Sequence, residues 1–163
     1  VLAGYFVLGM GYGIYVQSLG LPVWMPMLMG TGGNSGSQSS TAIIRSLSLG
    51  DTSPSDALRV IWKELRVAFL CGVSLAAANF IKMLLVDRLL LGNTAVTMSV
   101  AATVCCTIVF VVMFAKVVGS LLPMIAEKIG VDPAVMASPL ISTITDAVSL
   151  LIYFSIAKMF LHF

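Results

Sequence analysis

The chain has 163 residues, 59% of them hydrophobic and only 10% charged, with a net charge of +2 and a mean hydropathy of +1.05. A soluble domain carries about a quarter charged residues to wet its surface, so a water-exposed globule is excluded, and the absence of a basic run excludes a nucleic-acid binder. Lipid is what most of this surface can face.

Five apolar segments follow in chain order, about residues 1–17, 22–47, 54–86, 94–129 and 133–163. The first is uncharged and short; it lacks the basic n-region and cleavage site of a signal peptide, and Val1 in place of Met reads as a fragment of a longer chain. Gly20 and Pro22 separate it from the second segment, which is unusually polar in its middle. Asp51, Ser53, Pro54 and Ser55 form a loop, with Pro54 just inside the next helix start. The third segment opens with Arg59, Lys63 and Arg66 on one face and turns apolar from Val67. Asp87, Arg88, Gly92 and Asn93 make a turn. The fourth segment is longer than a bilayer needs and is expected to tilt or project. Gly130, Asp132 and Pro133 end it before the fifth.

About 20 apolar residues cross the hydrocarbon core as a helix. The expected fold is therefore an all-α integral membrane protein with five transmembrane helices, a single pore domain over 1–163. Arg45, Arg59, Lys63, Arg66 and Lys128 flank one side and Lys82, Arg88 and Lys158 the other. The positive-inside rule then puts the N-terminus in the cytoplasm and the C-terminus outside, in a multi-pass cell-membrane protein. Cys71, Cys105 and Cys106 have no metal or redox spacing and read as small buried hydrophobes. Trp24 and Trp62 read as interfacial anchors. His162 lies at the chain end, and Lys116 either snorkels or pairs with a carboxylate.

Asp146 is the only charge between Pro133 and Ala157 and falls near the middle of the fifth segment. A carboxylate at that depth costs at least about 2.5–3.5 kcal/mol, and no helix needs one in order to insert. It points to an ion or proton pathway; the bland alternative is a neutral aspartic acid bonded to a neighbouring helix. Ser138, Ser142, Asp146, Ser149 and Tyr153 recur at spacings of four, four, three and four, one polar stripe on one helix face. For the serines alone, close helix packing is the competing explanation.

A second unusual run is Gly30-Thr31-Gly32-Gly33-Asn34-Ser35-Gly36-Ser37-Gln38-Ser39-Ser40. It is not a phosphate loop, since no strand precedes it and the P-loop lysine is missing. Gly32 and Gly36 make a GxxxG step for close helix approach. Asn34 and Gln38 share a face and supply polar groups suited to a pore lining, because polar backbone in a membrane is tolerated where it is buried in protein or lines water.

The run from Pro26 to Ser40, followed by Ile43-Ile44-Arg45, resembles the signature of the MgtE magnesium channel family. Asp132-Pro133-Ala134, Ser138 through Asp146, and Leu150-Leu151-Ile152-Tyr153 resemble its last helix. The resemblance covers about Pro26 to Phe163. It implies a homodimer of five-helix subunits with a pore at the dimer axis, lined by the second and fifth helices, in a bacterial plasma membrane. It also implies that Asp146 holds a hydrated Mg²⁺, helped by the backbone carbonyl of Ser142. The position of Ser138 is often Asn in the family and faces the pore. Family members usually carry cytoplasmic CBS domains before the first helix; none lies within these residues, and Asp132 alone represents the cytoplasmic acidic sites. Val1 to about Trp24 departs from the family and is more similar to the opening of AzlC-type branched-chain amino-acid exporters.

The residues agree with magnesium on physical grounds. Mg²⁺ prefers octahedral oxygen ligands and dehydrates reluctantly, and two Asp146 carboxylates on a twofold axis would suit one dication. No thiolate or imidazole lies on the stripe, against a zinc or copper site; Mn²⁺ shares the oxygen preference. No enzymatic motif is expected. The rivals are a proton- or sodium-coupled secondary transporter, for which no internal repeat is found, and a non-transporting membrane subunit, which leaves Asp146 without a role.

Overall fold

The computed structural model describes residues 20–94, 96–136 and 139–161. The expected first segment, together with Ser138 and His162, lies outside the described residues. Among those described, every regular element is helical. Four long helices, α1 (Met25–Ser48), α2 (Ala57–Lys82), α3 (Met98–Lys128) and α4 (Pro139–Leu161), correspond to the second through fifth segments. Short 3₁₀ turns at Leu21–Trp24, Pro54–Asp56 and Pro133–Met136 lead into α1, α2 and the α3–α4 connection. A π-helical stretch, Met83–Leu90, prolongs α2.

The ends are set by local chemistry. After α1 the chain turns at Gly50, whose φ of 74° is left-handed; its N–H reaches Leu47 O (3.0 Å) and that of Asp51 reaches Ser46 O (3.0 Å). After α3 the same pair of bonds recurs at Gly130, φ 77°, with Gly130 N to Glu127 O and Val131 N to Ala126 O. Both are Schellman closures, which need a residue free of a Cβ at the left-handed position. Thr97 caps the start of α3 by accepting from Val100 N at 3.2 Å.

Three of these helices, α2 with its flanking turns (Pro54–Leu90), α3 and α4, are long and apolar enough to cross a membrane. α1 is long enough but too polar in its middle to qualify by composition. At 37 residues the α2 unit spans about 55 Å, well beyond a hydrocarbon core of about 30 Å. Its outer face carries Leu58, Phe69, Leu70, Leu85 and Leu89, all exposed, as a lipid-facing surface requires.

α3 is the centre: it packs against α1, α2 and α4, and α1 also packs against α4, whereas α1 and α2 both lean on α3 and scarcely touch each other. Close contacts fall on small residues. A Cβ at Gly32 would meet Ser149 Oγ at 2.8 Å and Val111 Cγ1 at 3.0 Å; one at Gly36 would meet Ile141 Cγ2 at 2.7 Å and the Ala115 carbonyl at 3.1 Å. A Cβ at Gly119 would collide with the Gly36 carbonyl itself. On α2, Ala68, Gly72 and Ala76 form a buried row, with Gly72 close to the Val109 backbone. Membrane helices associate through such close approach, because lipid gives no hydrophobic drive between them.

The main apolar cluster runs through Leu28, Ala68, Val100, Val104, Val112, Leu150 and Tyr153. A smaller one, Ile43, Leu47, Val60 and Met124, joins the C-terminal ends of α1 and α3 to the start of α2. Tyr153 is fully buried, and its hydroxyl donates to the Leu21 carbonyl at 3.1 Å.

Two sequence expectations need correction. Trp24 is buried rather than an interfacial anchor. Lys82 Nζ sits 5.0 Å from its ring centre and 2.8 Å from Asp87 Oδ2, which ties the turn before α1 to the far end of α2. Cys71 is exposed rather than buried, while Cys105 and Cys106 are half-buried; α2 offers only one face to α3, and Cys71 is off it. Trp62 is exposed, with the Arg66 guanidinium 5.9 Å from its ring.

The α1–α3 crossing gives a direct test. Gly119→Ala or Gly36→Ala is expected to lower the unfolding temperature of detergent-purified protein, at a cost of about 1–3 kcal/mol from overpacking. Gly30→Ala, with nothing within 4 Å of the added carbon, is expected to be neutral or stabilising by up to about 1 kcal/mol. Equal effects at Gly30 and Gly119 would show that the crossing is not tight.

Candidate functional site

Asp146 is the eighth residue of α4, about 10 Å from the helix start, so it is not at the middle of its own helix. It is nonetheless level with the middle of the bundle, because α4 begins deep inside it. The second turn of contact shows this: Ile141, two residues into α4, packs on Gly36, and Ser149 packs on Gly32 beside Val111, near the centre of α3.

Gly33 is where α4's polar pair meets α1. A Cβ at Gly33 would lie 3.5 Å from Ser142 Oγ and 3.9 Å from Asp146 Oδ1. A methyl group there would be in ordinary contact with both, and a larger side chain would press on the hydroxyl and the carboxylate. Sequence reasoning chose Gly32 and Gly36 for close approach and overlooked Gly33; its place one residue along, facing the side of Asp146, was the available signal. The Ser142 carbonyl accepts from Thr145 Oγ1 at 3.1 Å, within α4. Both Ser142 and Asp146 are partly exposed, and the three ion pairs among the described residues do not involve Asp146.

The other expected residues separate into two groups. Asn34 and Gln38 are exposed along α1 with Thr41 and Arg45, and with Ser37 they line a groove of about 610 Å³. Ser149 and Tyr153 instead turn inward. Ser149 is 1% exposed and wedged against Gly32, so the stripe on α4 is polar contact at one end and helix packing at the other. Asp132 is exposed, and its Oδ1 accepts from Ala134 N at 2.9 Å, capping the turn after α3. Among the described residues no three acidic, histidine or cysteine side chains converge as a metal cluster.

A buried charge cluster was not foreseen as such. Lys116 on α3 and Glu64 on α2 are 9% and 8% exposed, with Lys116 Nζ 3.8 Å from Glu64 Oε2. Ser39 on α1 links them: Lys116 Nζ donates to Ser39 Oγ (3.1 Å), which donates to Glu64 Oε2 (2.7 Å). Of the two roles open to Lys116, pairing is the one observed. Glu64 was hidden in the sequence by the run of charges around it, Lys63 and Arg66, which point outward.

The profile of the MgtE family, described as a divalent cation transporter, matches residues 25–156, the stretch that holds the glycine run, Asp146 and all four helices but the end of the last. The chain belongs to the MgtE family. It is 38% identical over 142 residues to the magnesium transporter MgtE of Thermus thermophilus, an alignment covering 87% of this chain and 30% of that protein. Against the magnesium transporters MgtE of Bacillus subtilis and Enterococcus faecalis the identities are 35% over 146 residues and 34% over 143. Those alignments cover 90% and 88% of this chain, and 31% and 30% of the relatives. This MgtE-family chain thus spans about a third of the length of the curated relatives it matches.

The two neighbouring serines of α1 separate a working hydroxyl from an idle one. Ser39→Ala removes the link in the Lys116–Glu64 cluster and is expected to destabilise the protein by about 1–3 kcal/mol. Ser40, buried with no partner for its hydroxyl, is expected to tolerate Ala with no loss. Thermal unfolding of both purified variants checks this, and the opposite order would mean that Ser39 does not hold the cluster.

Proposed function

We propose that this chain carries a divalent cation, Mg²⁺ first among them, across the membrane along the polar face shared by α1 and α4, with Asp146 as the ion-facing carboxylate. The observation that carries this reading is the row of polar groups on α1, exposed Asn34, Gln38, Thr41 and Arg45 with half-buried Ser37, beside a carboxylate at the middle of an apolar bundle. Such a row is unfavourable against lipid and favourable against water and a hydrated ion.

A second copy of the chain completes the path. One carboxylate leaves a dication half neutralised, and two Asp146 residues on a twofold axis would match it. Mg²⁺ keeps several of its waters when bound, so a hydroxyl at Ser142 and amides at Asn34 and Gln38, with Ser138 four positions before Ser142 in the sequence, suit an outer shell better than a dry cage. Ser149 supports the α1 contact behind that shell. Mn²⁺ fits the same oxygen donors.

The relatives named as magnesium transporters support the choice of ion. The end of the bundle where Arg45, Arg59, Lys63, Arg66 and Lys128 gather is the cytoplasmic one by the positive-inside rule, in a plasma-membrane protein of five helices with its N-terminus inside. A potential of 100 mV, negative inside, then favours divalent entry by about 4.6 kcal/mol, twice the single-charge value. Passage down that gradient requires neither a catalytic residue nor a nucleotide, and Asp132, at the same end, is the acidic group placed to meet cytoplasmic ions.

Asp146→Ala and Asp146→Asn are expected to abolish Mg²⁺ uptake into proteoliposomes while the protein stays folded and keeps its oligomeric state. Gly33→Val, which pushes carbon toward Asp146 and Ser142, is expected to cut uptake at least about tenfold by displacing the carboxylate. Uptake at the wild-type rate in purified Asp146→Ala would sink the assignment.

A further inference from the structure

Where α1 and α2 part, a cavity of about 590 Å³ opens, lined by Asn34 and Gln38 from α1, Cys71 and Ser74 from α2, and Lys116 from α3. Asn34 and Gln38 belong also to the groove on α1, so cavity and groove share a wall. Lys116 is part of the lining, and Ser39 and Glu64, bonded to each other, stand behind it.

We propose that Glu64 and Lys116 form a charge-balanced wall beside the cation path, whose neutrality keeps a dication from being trapped or repelled between Asp146 and the basic end of the bundle. This inference rests on the transport reading above. Ser39 is six residues beyond Gly33, about 9 Å along α1, so an ion leaving the Asp146 level toward that end comes next to the level of the pair. Packing of α2 on α3 brings the two residues together but does not require them to be charged. A buried ion pair is on average no more stabilising than apolar residues of the same volume. As a unit the pair carries no net charge: the two groups lie 3.8 Å apart and Ser39 bonds to both. Removing Glu64 leaves the Lys116 charge unbalanced on the cavity wall, and removing Lys116 leaves the Glu64 charge unbalanced just behind it. A bare Glu64 carboxylate would be a second cation site, and an ion held too well leaves slowly. A bare Lys116 ammonium would repel the same ion.

The test uses the reconstituted protein and opposite single changes. With Lys116→Met, the half-saturating Mg²⁺ concentration and the maximal rate are both expected to fall; with Glu64→Gln, the half-saturating concentration is expected to rise. Each shift should be at least about threefold for a divalent ion in a low-dielectric setting. The double variant is expected to return near wild type. A purely structural pair would move both single variants the same way and leave the double no better.

Cys71 gives a readout that needs no transport. In protein lacking Cys105 and Cys106, the ratio of its modification rates by a cationic and an anionic methanethiosulfonate reports the sign of the cavity. That ratio is expected to rise with Lys116→Met, fall with Glu64→Gln and recover in the double variant. Flat ratios, an unreactive Cys71, or ratios that shift while half-saturation stays fixed would overturn the charge-balanced wall. Wild-type uptake by Asp146→Ala would overturn the transport reading instead, and leaves the labelling ratios to decide the charge of the cavity on their own.

Discussion

At Gly36 and Gly119 the backbones of α1 and α3 lie closer than any side chain would permit. α1 is polar in its middle, where apolar side chains cannot hold it, so its place there depends on backbone approach, which small residues alone allow. The same helix meets α4 through Gly32, Gly33 and Gly36. One polar helix is thereby fixed at two crossings, and the residues between the glycines are set by that fixing: Ser35 and Ser39 turn toward α2 and α3, and Asn34 and Gln38 turn outward.

The depth of Asp146 follows from the same crossing. α4 starts within the bundle, with Ile141 against Gly36, so its eighth residue falls at the level of α3's centre. Had α4 begun at the membrane face, Asp146 would lie about 10 Å in, within reach of headgroup water and of little use as a mid-membrane ligand. Packing on glycine thus sets where the charge sits.

Much of the helical architecture was legible because uncharged runs of membrane length have few other solutions. The glycine step was legible too: spacing of four on a helix is a statement about one face. What escaped were relations between helices. Trp24 was placed at an interface because tryptophan prefers it, but Lys82, paired with Asp87, reaches over its ring and draws it into the core. Ser149 and Tyr153 align with Asp146 along α4, yet helical periodicity could not tell that the far half of the stripe meets Gly32 and the Leu21 carbonyl. Lys116 and Glu64 are 52 positions apart in sequence, and only the packing of α2 on α3 brings them together with Ser39.

The chemistry of the polar groups divides along α1. Hydroxyls and amides, without net charge, make up the row from Asn34 to Thr41, with Arg45 at its end, while carboxylates appear singly: Asp146 beside Gly33, and Glu64 bonded to Ser39 and paired with Lys116. A path lined by several bare carboxylates would strip a dication of water and retain it; Mg²⁺ gives up that water reluctantly. On the proposed path, a row of neutral oxygens with one charge at its centre would hold the ion through its hydration shell and leave it free to move. The pairing of Glu64 with Lys116 obeys the same requirement, since it places an acidic side chain in the membrane without adding a second point at which the ion would stop.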